Sequence, residues 1–367
     1  VPARVRAILA TVILAAAALL GAGSPALADP AAPRPFVIEG LDLHDATVKR
    51  FGSTYYMYGS MYACGFEWYV AGTPWCGFGV STASRPQGPW SAPKPLFAPD
   101  SQDPWAKRSW QTTCGGTGQG CFNPRMIQRT GWGVDDGAFL LWFNAPRHYT
   151  DSKVNAYNVM TCAGPAGPCG PGATGGSYTK PTLDVCAGNG DFGIIERPRT
   201  RPAIVCTMPG ETALSIEELD ADGTGGTGTG VQGVAGLSKI EGPGGWWSAR
   251  HRQYVLTYAD QACGYCAGTG TGYATAPSLY SGWSAPGNVG WGAPANGRRI
   301  VNGTSCGGQP RTVTVLDGQP WQIIDLWRGT RNETQAGTLM APLSYTPTQG
   351  TPGDGKRWIP PVSYSCS

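Results

Sequence analysis

His44-Asp45-Ala46-Thr47-Val48, then Phe51-Gly52-Ser53, then Tyr55-Tyr56-Met57-Tyr58-Gly59 set out a unit that recurs along the chain: a polar residue opens a short apolar strand, a turn reverses it, and an aromatic alternating strand returns. A second copy opens at Asn123-Pro124-Arg125-Met126-Ile127, turns at Asp135-Asp136-Gly137 and returns from Ala138 to Phe143. A third and more degenerate copy opens at Asp191-Phe192-Gly193-Ile194-Ile195 and returns through Ala203-Ile204-Val205-Cys206. The fourth runs from Glu241-Gly242-Pro243 past Trp246-Trp247, turns near Arg250-His251-Arg252 and returns from Tyr254 to Tyr258. The fifth runs from Gln309-Pro310-Arg311-Thr312-Val313 through Asp317-Gly318-Gln319 to the strand Trp321–Trp327. Openings recur every 50 to 78 residues, room for a four-stranded sheet with long loops, and sheets repeated at that period predict a propeller. A two-sheet sandwich is the competing architecture, but about 100 residues is its usual size, and no Ser/Pro-rich linker divides the chain into two unrelated β domains.

Composition agrees with an all-β class. The 367 residues include 55 Gly and 32 Pro, which favour tight turns over long helices, and 14 Trp and 15 Tyr, whose flat faces suit sugar rings. Only 14% of residues are charged, the net charge is +3, and no Lys/Arg cluster occurs, so a nucleic-acid partner is not expected. Gly-Lys-Ser/Thr phosphate loops and Gly-x-Ser-x-Gly elbows are absent too.

Arg4 and Arg6 precede an apolar run from Ala7 to Leu20, and Ala26-Leu27-Ala28 offers a small-residue cleavage site. Residues 1–28 are therefore expected to be an export signal, with 29–367 forming one five-bladed propeller, secreted, monomeric and free of the membrane. Twelve cysteines follow that signal, an even number suited to an oxidising compartment. Proximity suggests Cys64 with Cys76, Cys114 with Cys121, Cys162 with Cys169 and Cys186 with Cys206, leaving Cys263, Cys266, Cys306 and Cys366 to pair among themselves as staples on the loops. Zinc at Cys263-Gly-Tyr-Cys266 is the rival, although a structural site needs a second ligand pair.

In a propeller the residue opening each innermost strand faces one mouth of the central channel, which gathers Asp45, Asn123, Asp191, Glu241 and Gln309 in one funnel. Three of these are carboxylates. Inverting hydrolysis of a glycosidic bond needs one carboxylate to activate water and one carboxylic acid to protonate the leaving oxygen, held about 6.5–9.5 Å apart. A third carboxylate nearby raises the acid's pKa by like-charge repulsion.

The motif at His44–Val48 with its return strand Tyr55–Gly59, and Lys239-Ile240-Glu241-Gly242-Pro243, resemble glycoside hydrolase family 43. That resemblance implies a five-bladed propeller with Glu241 as general acid, Asp45 as general base, and Asp191, placed by order along the chain, as the group that tunes and orients the acid. Asn123 stands where many relatives carry Asp. Ile216-Glu217-Glu218-Leu219-Asp220 and Ile323-Ile324-Asp325-Leu326-Trp327 look similar to the exo-β-1,3-galactanases of the family, which usually lack the base aspartate present here.

Asp45 and Glu241 also suit turn-forming strand ends, and Asp191 suits a loop. Glu217, Glu218 and Asp220 are expected in a solvated turn. His44, Asn123, Trp246, Gln309, Arg311 and Trp327 are candidate substrate contacts, with Trp247 and Tyr58 as further sugar platforms or blade packing. His44 is compatible with a substrate hydrogen bond, a water-mediated contact to a central cation such as calcium, or a core position. No cofactor or multi-histidine metal site is expected from three histidines. The expectation is a secreted, inverting, exo-acting glycosidase on an arabinose- or galactose-containing polysaccharide; the alternative is a non-catalytic carbohydrate-binding propeller, and an inhibitor-like secreted domain rests on the disulfides alone.

Overall fold

Each of the five sequence copies forms the two inner strands of one four-stranded antiparallel sheet in the computed structural model. The structure describes residues 33–367 except 117–118, 151–152, 172–175, 211–212, 261–263, 265–267, 285–298, 303, 328 and 346–361. The proposed export signal, 1–28, and the Cys263/Cys266 pair lie outside the described residues. Among those described, no helix is long and apolar enough to cross a membrane.

Blade 1 consists of His44–Phe51, Thr54–Ser60, Phe78–Ala83 and Lys94–Pro95. Blade 2 consists of Phe122–Gln128, Phe139–Asn144, Tyr157–Cys162 and Tyr178–Thr179. Blade 3 follows with Phe192–Arg197, Thr200–Thr207, Leu214–Leu219 and Gly226–Val231, so the degenerate third copy is a full hairpin with Ile194 opposite Ile204. Blade 4 is Ile240–Ser248, Gln253–Asp260, Gly270–Ala276 and Arg299–Asn302. Blade 5 takes Gln309–Leu316, Gln319–Leu326 and Gly337–Pro342 from one end of the chain and its outer strand, Phe36–Ile38, from the other.

The expected alternation of the return strands is largely replaced by continuous burial, because every blade is packed on both faces. Period two survives as a choice of neighbour. In blade 2, Leu141 and Phe143 pack toward blade 1 with Tyr58 and Phe78, while Leu140 and Trp142 pack toward blade 3 with Ile194 and Ile204. Three similar clusters join blades 3 to 4, 4 to 5 and 5 to 1, closing the ring. The innermost strands approach so closely that a Cβ on Gly244 would lie 2.2 Å from the Val313 amide nitrogen. Five disulfides bind the described loops and strands: Cys64–Cys76, Cys114–Cys121, Cys162–Cys169, Cys186–Cys206 and Cys306–Cys366.

Candidate active site

The innermost strands are interrupted near their first residues. In blade 1 the register shifts between His44 and Thr47, in blade 2 between Phe122 and Arg125, in blade 4 between Glu241 and Gly244, and in blade 5 between Pro310 and Thr312. These bulges turn side chains out of the ladder toward the mouth. Asp45 and Asn123 sit in the left-handed region at φ 53° and 57°, a conformation that Asp and Asn tolerate better than most residues, so residue type and backbone agree there.

Asp45, Asp191, Glu241, Gln309, Arg311 and Trp327 line one cavity of about 130 Å³, with Trp68, Phe122 and Glu333 among its other walls. Arg311 organises it. Its two terminal nitrogens lie 3.2 Å from the two oxygens of Asp191 as a parallel fork, and the same guanidinium donates to Asp45 Oδ1 and Gln309 Oε1. Gln309 in turn donates its amide to Glu241 Oε1 at 2.6 Å. Three carboxylates from blades 1, 3 and 4 are thus strung on two side chains of blade 5.

Asn123, expected among the substrate contacts, is fully buried behind Asp191 and donates to Asp191 Oδ1 at 2.9 Å and to Asn144 Oδ1 at 3.0 Å. Arg125 was not anticipated. Its buried guanidinium donates to the Asp45 carbonyl at 2.6 Å, Thr47 Oγ1 at 2.7 Å, Asn123 Oδ1 at 2.9 Å and the Phe192 carbonyl at 3.3 Å, stitching blades 1 to 3 beneath the site. Nothing but its place two residues after Asn123 signalled this.

Burial pushes the Asp45 carboxyl up to about 6, against the pull of Arg311, with Asp325 and Asp191 adding to the rise. Arg125 is lowered to about 9 by burial and by Arg311. Burial alone would lower the His44 pKa, but Asp325 and Asp42 on either side of its ring raise it to about 10. His44 itself is wholly buried, edge-on to Tyr62, and does not line the cavity. Buried outside the cavity wall, it is not placed for a substrate hydrogen bond. Asp325, the one charged residue of the strand Gln319–Leu326, was a legible signal; Glu333, in a loop, was not.

Trp246 is a correction. It points away from the carboxylates, into the cluster between blades 4 and 5 with Val255 and Val313, and with Trp247 it lines a separate hollow of about 890 Å³ at the other end of the inner strands. Trp246 lies five residues along its strand from Glu241, and a strand carries residues that far apart to opposite ends of the channel. Tyr58 is also core, donating its hydroxyl to the Pro165 carbonyl at 2.6 Å. Glu217 departs from the expected solvated turn: buried, its carboxylate accepts from the amides of Asp184, Val185, Cys186 and Gly228 at 2.8–3.1 Å and anchors the loop entering blade 3. Glu218 is partly exposed and paired with Arg197 at 2.6 Å.

No family model matches the sequence, and no curated protein matches it either. Solved structures do. An exo-β-1,3-galactanase from Phanerochaete chrysosporium, solved with β-1,3-galactotriose, superposes with a TM-score of 0.61 at 16% identity over 85% of this chain. This chain spans 65% of that protein's length. A β-1,3-galactosidase of glycoside hydrolase family 43, solved with galactodeoxynojirimycin, gives 0.60 at 14% identity over 89% of this chain and 94% of its own. An exo-1,5-α-L-arabinanase from a bovine ruminal metagenomic library gives 0.52 at 14% identity over 85% and 96%. The chain shares the five-bladed propeller of these proteins.

Proposed function

We propose that the chain is a glycoside hydrolase acting by inversion, from chain ends, on a galactose- or arabinose-containing polysaccharide outside the cell. The observation that carries this is the convergence of Asp45, Asp191 and Glu241 from three blades on one cavity. The similarity in fold to two β-1,3-galactan-type enzymes and an arabinanase supports the substrate class, and the disulfides support an oxidising compartment.

In this mechanism Glu241 protonates the leaving oxygen and Asp45 takes a proton from the attacking water. They do not touch: the Arg311 guanidinium and the Gln309 amide lie between them in the hydrogen-bonded chain, which suits a mechanism that must fit a water between base and sugar. Asp191, gripped by the Arg311 fork and by Asn123, supplies negative charge beside the acid and fixes the cation in place. A second assignment, with Asp191 as base and Asp45 as the buried pin, is favoured by exposure: the Asp191 side chain is 13% accessible and that of Asp45 only 3%.

One experiment separates them. Asp45→Ala, Asp191→Ala and Glu241→Gln are assayed on β-1,3-galactan and 1,5-arabinan, each expected to lose about 10²–10⁴-fold in kcat. Azide can replace the water whose base is missing, so it should restore turnover, as an inverted glycosyl azide, in the variant lacking the base alone. Wild-type turnover by Glu241→Gln, or a product first released with retained configuration, rejects the mechanism; binding to the glycans without release of sugar by the wild-type protein would instead make it a carbohydrate-binding propeller.

A further inference from the structure

Behind Asp45, between the first strand of blade 1 and the second strand of blade 5, three ligand-type atoms face one another without hydrogen-bond partners. His44 Nδ1 stands 3.8 Å from Asp325 Oδ1 and 3.8 Å from Glu333 Oε2. All three residues are buried, each of these atoms is unsatisfied, and the trio lies within 4.8 Å. At 3.8 Å a nitrogen and an oxygen do not form a hydrogen bond, and buried polar atoms left in that state are costly. The other atoms of the same groups are engaged. Asp325 Oδ2 accepts from the Asp45 amide at 2.7 Å, and Glu333 Oε1 accepts from the Tyr62 hydroxyl at 3.1 Å.

The opposite ring nitrogen adds a second observation. His44 Nε2 lies 3.3 Å from Asp42 Oδ1, and the Asp42 carboxylate is itself held by the amides of Tyr62 and Ala63 at 2.8 and 2.9 Å. The His44–Asp42 contact is an ion-pair approach without hydrogen-bond alignment, and a carboxylate beside the far nitrogen of an imidazole is the group that, once closed to a hydrogen bond, orients a histidine toward a metal. Two ligands each about 2.1 Å from one ion can stand at most about 4.2 Å apart, so the two 3.8 Å separations admit an ion between the atoms.

We propose that His44 Nδ1, Asp325 Oδ1 and Glu333 Oε2 form the protein side of a site for a divalent transition ion of the zinc or manganese class, oriented by Asp42. One imidazole and two carboxylates suit such an ion better than calcium, which takes six to eight oxygens. Glu333 also lines the funnel cavity, which gives the ion an entry path and room for water to complete its coordination. Through Asp325 the ion would steady the amide of Asp45. The site does not depend on the hydrolytic mechanism proposed above.

The test uses the untagged full chain stripped with chelator and titrated separately with Zn²⁺, Mn²⁺, Co²⁺ and Ca²⁺ by calorimetry. The expected result is one transition ion bound per chain with a rise in melting temperature, and a paramagnetically shifted imidazole resonance in the Co²⁺ form. Glu333→Gln, nearly isosteric, should abolish binding, and Asp42→Asn should weaken it by about 10- to 100-fold. Absence of stoichiometric binding, binding of Ca²⁺ alone, or a Co²⁺ form without a shifted imidazole overturns the proposal. So does unchanged affinity in folded Glu333→Gln. Should that variant fail to fold, the Co²⁺ spectrum of the wild-type chain decides.

Discussion

Arg311 is buried, yet it touches two carboxylates and an amide, and its guanidinium carbon stands 5.9 Å from the Trp327 ring. Sequence placed it among the substrate contacts, and it does line the cavity. Its partners are instead groups of the chain itself, and this decides what replacing it would do. Arg311→Met removes the cation that bridges Asp45 and Asp191 and leaves only Arg125 beneath them; breaking a buried pair in this way costs about 3–5 kcal/mol, so the variant should melt well below wild type. Arg311→Lys keeps the charge but cannot reproduce the fork on Asp191. It should recover most of that stability while remaining impaired in kcat, because the carboxylates lose their mutual orientation. Thermal melts and kcat measured on both variants check this. Equal stability for the three proteins would mean that the guanidinium is solvated and the network is weak.

At the scale of the strand, the bulges explain both what was legible in the sequence and what was not. Five hairpins could be found because their flanks are apolar and, in blades 1, 2 and 5, their turns carry Gly or Asp. The outer strands could not: Lys94–Pro95 and Tyr178–Thr179 are two residues long, and Gly226–Val231 alternates glycine with polar or small side chains. The gathering of Asp45, Asp191, Glu241 and Gln309 was legible, but their equivalence was not. Asp45 and Asn123 occupy the bulge itself, whereas in blade 4 that position belongs to Gly242, at φ 59°, and Glu241 precedes it. A one-residue offset of this kind leaves no trace in hydrophobic pattern, since it arises from backbone geometry. It does explain the glycine. A Cβ on Gly242 would stand 2.1 Å from the Pro310 carbonyl oxygen, where backbone cannot easily yield. Gly242→Ala should therefore cost about 2–5 kcal/mol, combining left-handed strain with overpacking, and should displace Glu241 enough to lower kcat. Denaturant melts measure the first effect. A fully stable variant would show that blades 4 and 5 are not held so close.

For the whole ring, the decisive contact joins residues some 300 positions apart. Phe36–Ile38 pairs antiparallel with Gly337–Pro342, Phe36 with Met340 and Ile38 with Thr338, so the last blade is completed by the first described strand. Sequence did not reveal this, because three residues preceding the first hairpin carry no period. Phe36 packs edge-on to Trp321 at 5.5 Å, and Ile38 is buried with Leu43, Val48 and Met340 between blades 5 and 1. Cys306–Cys366 ties the other end of the chain to the entry of the same blade. A ring of packed blades leaves only the short edges of its outer strands, and removing one of these exposes the backbone of Gly337–Pro342 and opens the junction between blades 5 and 1. A chain beginning at Arg34 should therefore unfold in one cooperative step, whereas a chain beginning at Glu39 should lose about 3–6 kcal/mol from the Phe36 and Ile38 side chains alone and associate through the exposed strand. Melting curves and size-exclusion chromatography of the two truncations make the comparison. Reducing the disulfides should deepen the loss in the shorter chain more than in the longer one, because closure by Phe36–Ile38 and the Cys306–Cys366 link then fail together on one blade. If the two truncations melt alike, the ring is closed by packing between blades and the strand is an ornament on its edge.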